Sequence, residues 1–229
     1  MQYVLVFGLI ALIVFGPSLW VKATLRKYRQ PEDRYGFTGA YTARRLLDES
    51  GLEAVSVEET EPGKDHYDPS SKAVRLSPEH YTGRSLAAVT VAAHEVGHAL
   101  QDAQGYRPLK MRTQLAAWVG PLQSLGVGLL MLTPVIAVVL RTPSTFGITL
   151  IGGLLTLGLG VLVHALTLPT EYDASFNRAL PLLQQKGVLH DGDDRHARRI
   201  LTAAAVTYVA GALMSLLNVA RWLAILGRR

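Results

Sequence analysis

Four stretches of this chain carry no Asp, Glu, Lys or Arg: Tyr3 to Val21, Leu115 to Leu140, Thr142 to Thr170 and Ile200 to Ala220. A helix needs about 20 apolar residues to cross a bilayer core, where every backbone polar group must be satisfied within the segment. Each stretch is long enough. The pattern predicts four transmembrane helices; the alternative, a soluble core of buried helices, is disfavoured by uninterrupted runs of this length. The first stretch lacks a charged start and a small-residue cleavage signal, so it reads as a retained anchor.

Charge places the ends. The chain has a net charge of +5 and a mean hydropathy of +0.21. Its basic residues flank the apolar blocks, with Lys22, Arg26, Lys27 and Arg29 after the first and Arg195, Arg198 and Arg199 before the last. Because basic loops stay in the cytoplasm, residues 1–22 read as a first membrane helix entering from outside. Residues 23–114 then read as a cytoplasmic α+β unit. Residues 115–170 make a membrane hairpin turning near Arg141-Thr142-Pro143-Ser144. Residues 171–199 are a second cytoplasmic segment, and 200–229 a fourth span. Arg221, Arg228 and Arg229 run against the rule at the far end. The absence of cysteine excludes disulfides and thiolate metal ligands. No stretch interleaves basic and aromatic residues as a base-stacking surface would, so no nucleic-acid partner is expected.

The expected fold is α+β, mainly α. Thr38 is placed to cap a short helix running through Leu47-Asp48-Glu49, with Gly51 ending it. Val55-Ser56-Val57 and Ala73-Val74-Arg75-Leu76 read as strands, the second preceded by a turn at Asp68-Pro69-Ser70-Ser71. The Ala73–Leu76 strand is a candidate edge for pairing with an extended peptide, and equally an ordinary hairpin arm.

The chemistry concentrates in His94-Glu95-Val96-Gly97-His98. Histidines four apart share one helix face a turn apart and can grip one metal ion, and the intervening glutamate can serve as general base toward a water activated there. The apolar run Ser85 to Val91 before it and Gly105 after it fit a buried helix with a defined stop. A carboxylate on such a helix without a partner would be costly.

A catalytic zinc site takes three protein ligands and leaves one position open. Gln101 and Gln104 stand where one zinc-protease class carries glycine and histidine, which excludes that class. No Asp or Glu occurs from Ala103 to Thr170, and the only histidine there is His164, inside the third apolar block. Asp102 lies on the same rod as the two histidines, poorly placed to close a tetrahedron but able to support a ligand from behind. The first carboxylate after the gap is Glu171, at the cytoplasmic end of the third span. Alone it could be an ordinary boundary residue. If Glu171-Tyr172-Asp173-Ala174-Ser175 continues as a helix, Glu171, Ala174 and Ser175 share a face, and Ser175 can hydrogen-bond a ligand histidine.

Asp65-His66-Tyr67-Asp68-Pro69, Leu76-Ser77-Pro78, Gly83-Arg84-Ser85, Ala92 to Ala99 and Leu168 to Ser175 together resemble the YugP-like family of membrane zinc metallopeptidases. The likeness covers nearly the whole chain. The family is similar to the gluzincins, in which a glutamate from a later helix completes the zinc site. The resemblance implies His94, His98 and Glu171 as ligands of one Zn2+ and Glu95 as base. Combined with the topology above, the expected protein is a multipass cell-membrane endopeptidase whose active site faces the cytoplasm, and its place beside the bilayer points to membrane proteins or their juxtamembrane segments as substrates, with soluble peptides as the alternative. Where related gluzincins carry an aspartate four residues after the ligand glutamate, this chain has Ser175. A structural zinc clamp without proteolysis, and a zinc hydrolase of another amide or a lipid, are the rival readings.

Other residues carry weaker signals. His164 reads either as a functional group inside the membrane or as a neutral histidine bonded to a neighbouring helix. Arg178 and Asn177 are oxyanion candidates or members of a solvated helix face. His80, His190 and His196 read as surface residues. Glycines in the second and third apolar blocks are expected to permit close helix packing.

Overall fold

The computed structural model describes residues 2–140 and 143–226. The predicted turn at Arg141-Thr142 and the terminal Arg228 and Arg229 lie outside the described residues, as does the side chain of Arg221. The chain is mostly helical with one small sheet. It divides into two compact units.

The first unit comprises Met1–Phe15, Met111–Leu168 and Tyr208–Arg229. It holds parts of four long helices: α1 (Gln2–Tyr28), α5 (Arg107–Leu140), α6 (Pro143–Tyr172) and α8 (Asp194–Leu226). Among the described residues, the stretches Arg107–Leu132, Ile151–Gln185 and Asp194–Leu217 are long and apolar enough to cross a membrane. Trp118, Leu125, Met131, Val139 and Leu155 all point outward. Apolar exposure on that scale marks a surface made for something other than water. Of the glycines expected to pack closely, Gly153 and Gly160 do so, against Leu130 and Gln123, whereas Gly128, Gly152 and Gly158 have open space around them.

The second unit comprises Gly16–Lys110 and Pro169–Thr207. At its centre lies α4 (Leu86–Ala103), apolar on nearly every side and buried from Leu86 through Thr90 and Ala92 through Ala99. The Ser85 side chain accepts from the Ala88 amide and caps its start. Gly105, at φ +67°, follows its end in the left-handed conformation that only glycine adopts without cost. Helix α2 (Gly39–Asp48) packs against it through Ala43, Leu46 and Leu47, and Thr38 caps α2 through the Tyr41 amide at 3.1 Å.

The sheet has three strands in the order β1-β3-β2. Strand β1 (Ser56–Glu59) runs parallel to β3 (Ala73–Leu76), and β2 (His66–Asp68) runs antiparallel to it. The expected edge strand Ala73–Leu76 is therefore the central one. A third strand, too short to announce itself by alternation, covers its free side and pairs His66 with Arg75 and Tyr67 with Val74. Both ladders of Ala73–Leu76 are occupied, so it offers no edge for peptide docking. A short helix, α3 (Pro78–Tyr81), links the sheet to α4. After α6 the chain widens into a π-helical segment, Asp173–Ala179, and then forms α7 (Leu180–Gln185). The expectation of a plain α-helix through Ser175 thus gives way to a broader turn, a form that is rare and frequent at functional sites.

Candidate metal centre

Helix α4 presents His94 and His98 one turn apart, with ring centroids 4.8 Å apart and planes nearly perpendicular. The end of α6 brings Glu171 to both. Glu171 Oε2 lies 3.1 Å from His94 Nε2 and 3.5 Å from His98 Nε2. His94, His98 and Glu171 are 6, 5 and 1% exposed. One ligand atom from each lies within 4.8 Å of the others.

Close approach of the two segments requires Gly97. A Cβ there would stand 2.6 Å from the Ala174 carbonyl oxygen, so any side chain would push the Glu171-bearing segment off α4. Glycine on the histidine helix and Ala174 on the π-segment together let the two backbones meet.

The outer nitrogens of both imidazoles are occupied. Ser175 Oγ lies 3.1 Å from His94 Nδ1 and donates to the Leu201 carbonyl at 3.5 Å. With its proton so directed, the hydroxyl accepts from His94 Nδ1–H, the support expected from the sequence. His98 Nδ1 lies 2.9 Å from Gln101 Oε1. Gln101 Nε2 in turn donates to the Thr170 carbonyl and to Asp173 Oδ2, both at 2.8 Å. Both rings thereby turn Nε2 toward Glu171.

This donor set fits zinc. Zinc–nitrogen and zinc–oxygen bonds are about 2.0–2.1 Å, so two donors on one tetrahedral ion stand about 3.3 Å apart. The observed 3.1 and 3.5 Å bracket that value. Two imidazoles and a carboxylate leave a fourth position open, as catalytic sites require.

A family profile described as "Putative neutral zinc metallopeptidase" matches residues 3–227. The chain belongs to this family. It is also 37% identical over 233 residues, spanning 96% of each chain, to a Bacillus subtilis (strain 168) protein called "Putative membrane protease YugP". No solved structure matches the chain significantly. A zinc metallopeptidase family, a buried two-histidine, one-carboxylate cluster and three membrane-length helices agree with one another.

The remaining residues sort by position. Glu95 follows His94 on α4 and is buried. Among the described residues, Asp102 bonds neither His94 nor His98; it accepts from Tyr67 Oη at 2.7 Å and pairs with Lys72, tying the sheet to α4. The residue that does sit behind His98 is Gln101, which sequence reasoning used only to exclude another protease class. Its sole signal was a long polar side chain one turn past a histidine on a buried helix. Arg178 and Asn177 both bond Asp173, at 2.6 and 3.0 Å, and Arg178 also donates to Gln104 and lies over the Tyr106 ring. Those bonds hold the π-segment.

His80 corrects an expectation. It is 3% exposed rather than on the surface, with Nδ1 2.9 Å from Asp65 Oδ2, while Ser77 donates to the same carboxylate. His190 is exposed and stacks on Tyr35, and His196 meets Tyr28 Oη through Nδ1 at 2.9 Å. In the first unit, His164 packs its ring against Gly211 and lies 6.3 Å from the Tyr208 ring, with Nδ1 buried and, among the described residues, without a hydrogen-bond partner.

Proposed function

We propose that this chain is a membrane-embedded zinc endopeptidase of gluzincin type, with one Zn2+ held by His94, His98 and Glu171. The observation that carries the reading is the buried convergence of those three groups, with both Nε2 atoms facing one carboxylate oxygen. When bound there, zinc supplies Lewis acidity and lowers the pKa of water toward neutrality.

The chain's own groups do the rest. Glu95, buried beside His94, takes the proton from the attacking water and hands it to the leaving amine. Ser175 holds His94 in orientation by its hydrogen bond. The closed packing around α4 excludes bulk water and strengthens each polar contact within.

The membrane arrangement completes the proposal. Four spans place residues 23–114 and 171–199 in the cytoplasm and the C-terminus outside. Support comes from the three membrane-length helices, from α1 formed by the first apolar block, and from the basic residues beside them. Glu171 immediately follows the charge-free block Thr142 to Thr170. That position favours substrates that are membrane proteins or their juxtamembrane segments.

The test is zinc content and cleavage of casein and of a membrane protein, measured on wild type and Glu95→Gln in one preparation. Near one zinc per chain in both, with cleavage lost in E95Q, supports the reading. Cleavage that survives the substitution refutes the role of Glu95, and zinc retained without cleavage by wild type favours a structural clamp.

A further inference from the structure

The Gln101 amide has only one consistent direction. Gln101 is wholly buried, so each of its polar atoms must find a partner within the protein. One end meets the Thr170 carbonyl and Asp173 Oδ2, both at 2.8 Å. A carbonyl can only accept, and so can an ionised carboxylate. Asp173 also takes hydrogen bonds from Asn177 and Arg178, as an ionised carboxylate does. That end of Gln101 is therefore the NH2 group, with both hydrogens used. The other end is the carbonyl oxygen, and it lies 2.9 Å from His98 Nδ1. Two acceptors cannot share that distance, so His98 Nδ1 carries a hydrogen. In a neutral imidazole the lone pair then belongs to Nε2, the atom facing Glu171.

We propose that Gln101 is a positioning residue that sets the tautomer and ring orientation of His98 for metal binding. The proposal rests on the zinc reading above. It adds that this orientation is dictated by the segment that also supplies Glu171. Thr170 immediately precedes Glu171, and Asp173 opens the π-segment. One amide thus spans from the second histidine to the backbone beside the third ligand. The two halves of the site, 77 residues apart for His94 and Glu171, are registered by a side chain as well as by packing.

The experiment uses the full chain in detergent, with zinc alone as the probe. Zinc affinity is measured by chelator competition, and Co2+ is substituted so that its visible absorption reports coordination geometry. Gln101→Met keeps the length and removes every polar atom. Gln101→Glu keeps an acceptor for His98 but turns a carboxylate toward Asp173. Q101E combined with Asp173→Asn restores a donor at position 173, so the repulsion between the two carboxylates is removed while the Thr170 carbonyl still faces an acceptor. Loss of an outer hydrogen-bond partner of a metal ligand weakens metal binding about 10- to 100-fold, so Q101M and Q101E are expected to fall in that range. Q101E/D173N is expected to regain part of that loss, with a Co2+ spectrum closer to wild type than that of Q101E.

The assignment is overturned if Q101M holds zinc as tightly as wild type, or if Q101E/D173N is no better than Q101E. Should Q101M fail to give a monodisperse protein, the comparison of Q101E with Q101E/D173N decides alone. Wild type that binds no stoichiometric zinc overturns the metal-centre reading itself. Wild type that binds zinc beside an unaffected Q101M overturns only the role of Gln101.

Discussion

Gly97→Ala should loosen the metal site without touching a ligand. The added Cβ would lie 2.6 Å from the Ala174 oxygen, 3.2 Å from its carbonyl carbon and 3.3 Å from its Cα. Ordinary contact of a Cβ begins at 3.4 Å, so the Cβ and the Ala174 oxygen must separate by about 0.8 Å. All three obstructing atoms are backbone, and no side-chain rotation relieves them. The π-segment carrying Ala174 has to move, and Glu171 and Ser175 move with it. Metal–ligand distances tolerate only about 0.2 Å, so the shift exceeds what the site can absorb. Zinc affinity is expected to fall at least about tenfold. Overpacking costs about 1–3 kcal/mol, partly offset by alanine's helix preference over glycine of about 1 kcal/mol. The decisive readout is therefore zinc competition, with thermal unfolding of the metal-free protein beside it. Gly120→Ala is the control, since Gly120 is exposed on α5 with nothing within 4 Å of its would-be Cβ. If G97A binds zinc within about threefold of wild type and melts like G120A, the close approach of the two segments is not what holds the site together.

Three further outcomes follow from the same geometry. Saturating zinc should stabilise the folded chain by about 2.7 kcal/mol at a free concentration a hundred times the dissociation constant; an unfolding temperature unmoved by chelation would argue against a native-state metal. Ser175→Ala should weaken zinc about tenfold while leaving the chain folded, because His94 Nδ1 loses its partner at 3.1 Å; unchanged zinc affinity refutes that support. Burial pushes the Asp65 carboxyl up, but hydrogen bonds from His80 and Ser77 outweigh it and hold it below the ordinary carboxylate range. A depressed folded value means stability that is complete above the unfolded value of about 3.9 and lost as pH falls through the folded one. Asp65→Asn should thus be about 1–3 kcal/mol less stable at neutral pH and lose less than wild type below about pH 4. Parallel stability curves for the two proteins in detergent would refute this role.

What could be read in advance, and what could not, divides along a physical line. Thr38 and Gly105 were legible because caps and stops act on backbone groups within a few residues. The histidine pair was legible because helical periodicity puts residues four apart on one face. Glu171 was reachable for a different reason: a long charge-free interval leaves few carboxylates to choose from. Beyond that, the information lies in partners rather than in period. Asp65 and Ser77 bury His80, but no local rule connects a histidine to a carboxylate fifteen residues earlier. Strand β2 has three residues, too few for alternation to register, and its presence reverses the role of Ala73–Leu76 from edge to centre. Gln101 shows the same limit at the site. Its meaning depends on Thr170 and Asp173, which reach it only because Gly97 admits Ala174 and because the helix widens into a π-turn there. The first shows in the sequence only as a glycine one turn before Gln101, and the second leaves no mark near it. A glutamine on a buried helix is therefore the residue type to question first in such chains. Burial obliges both ends of its amide to be satisfied, and the partner at one end can reveal the protonation state of a group at the other.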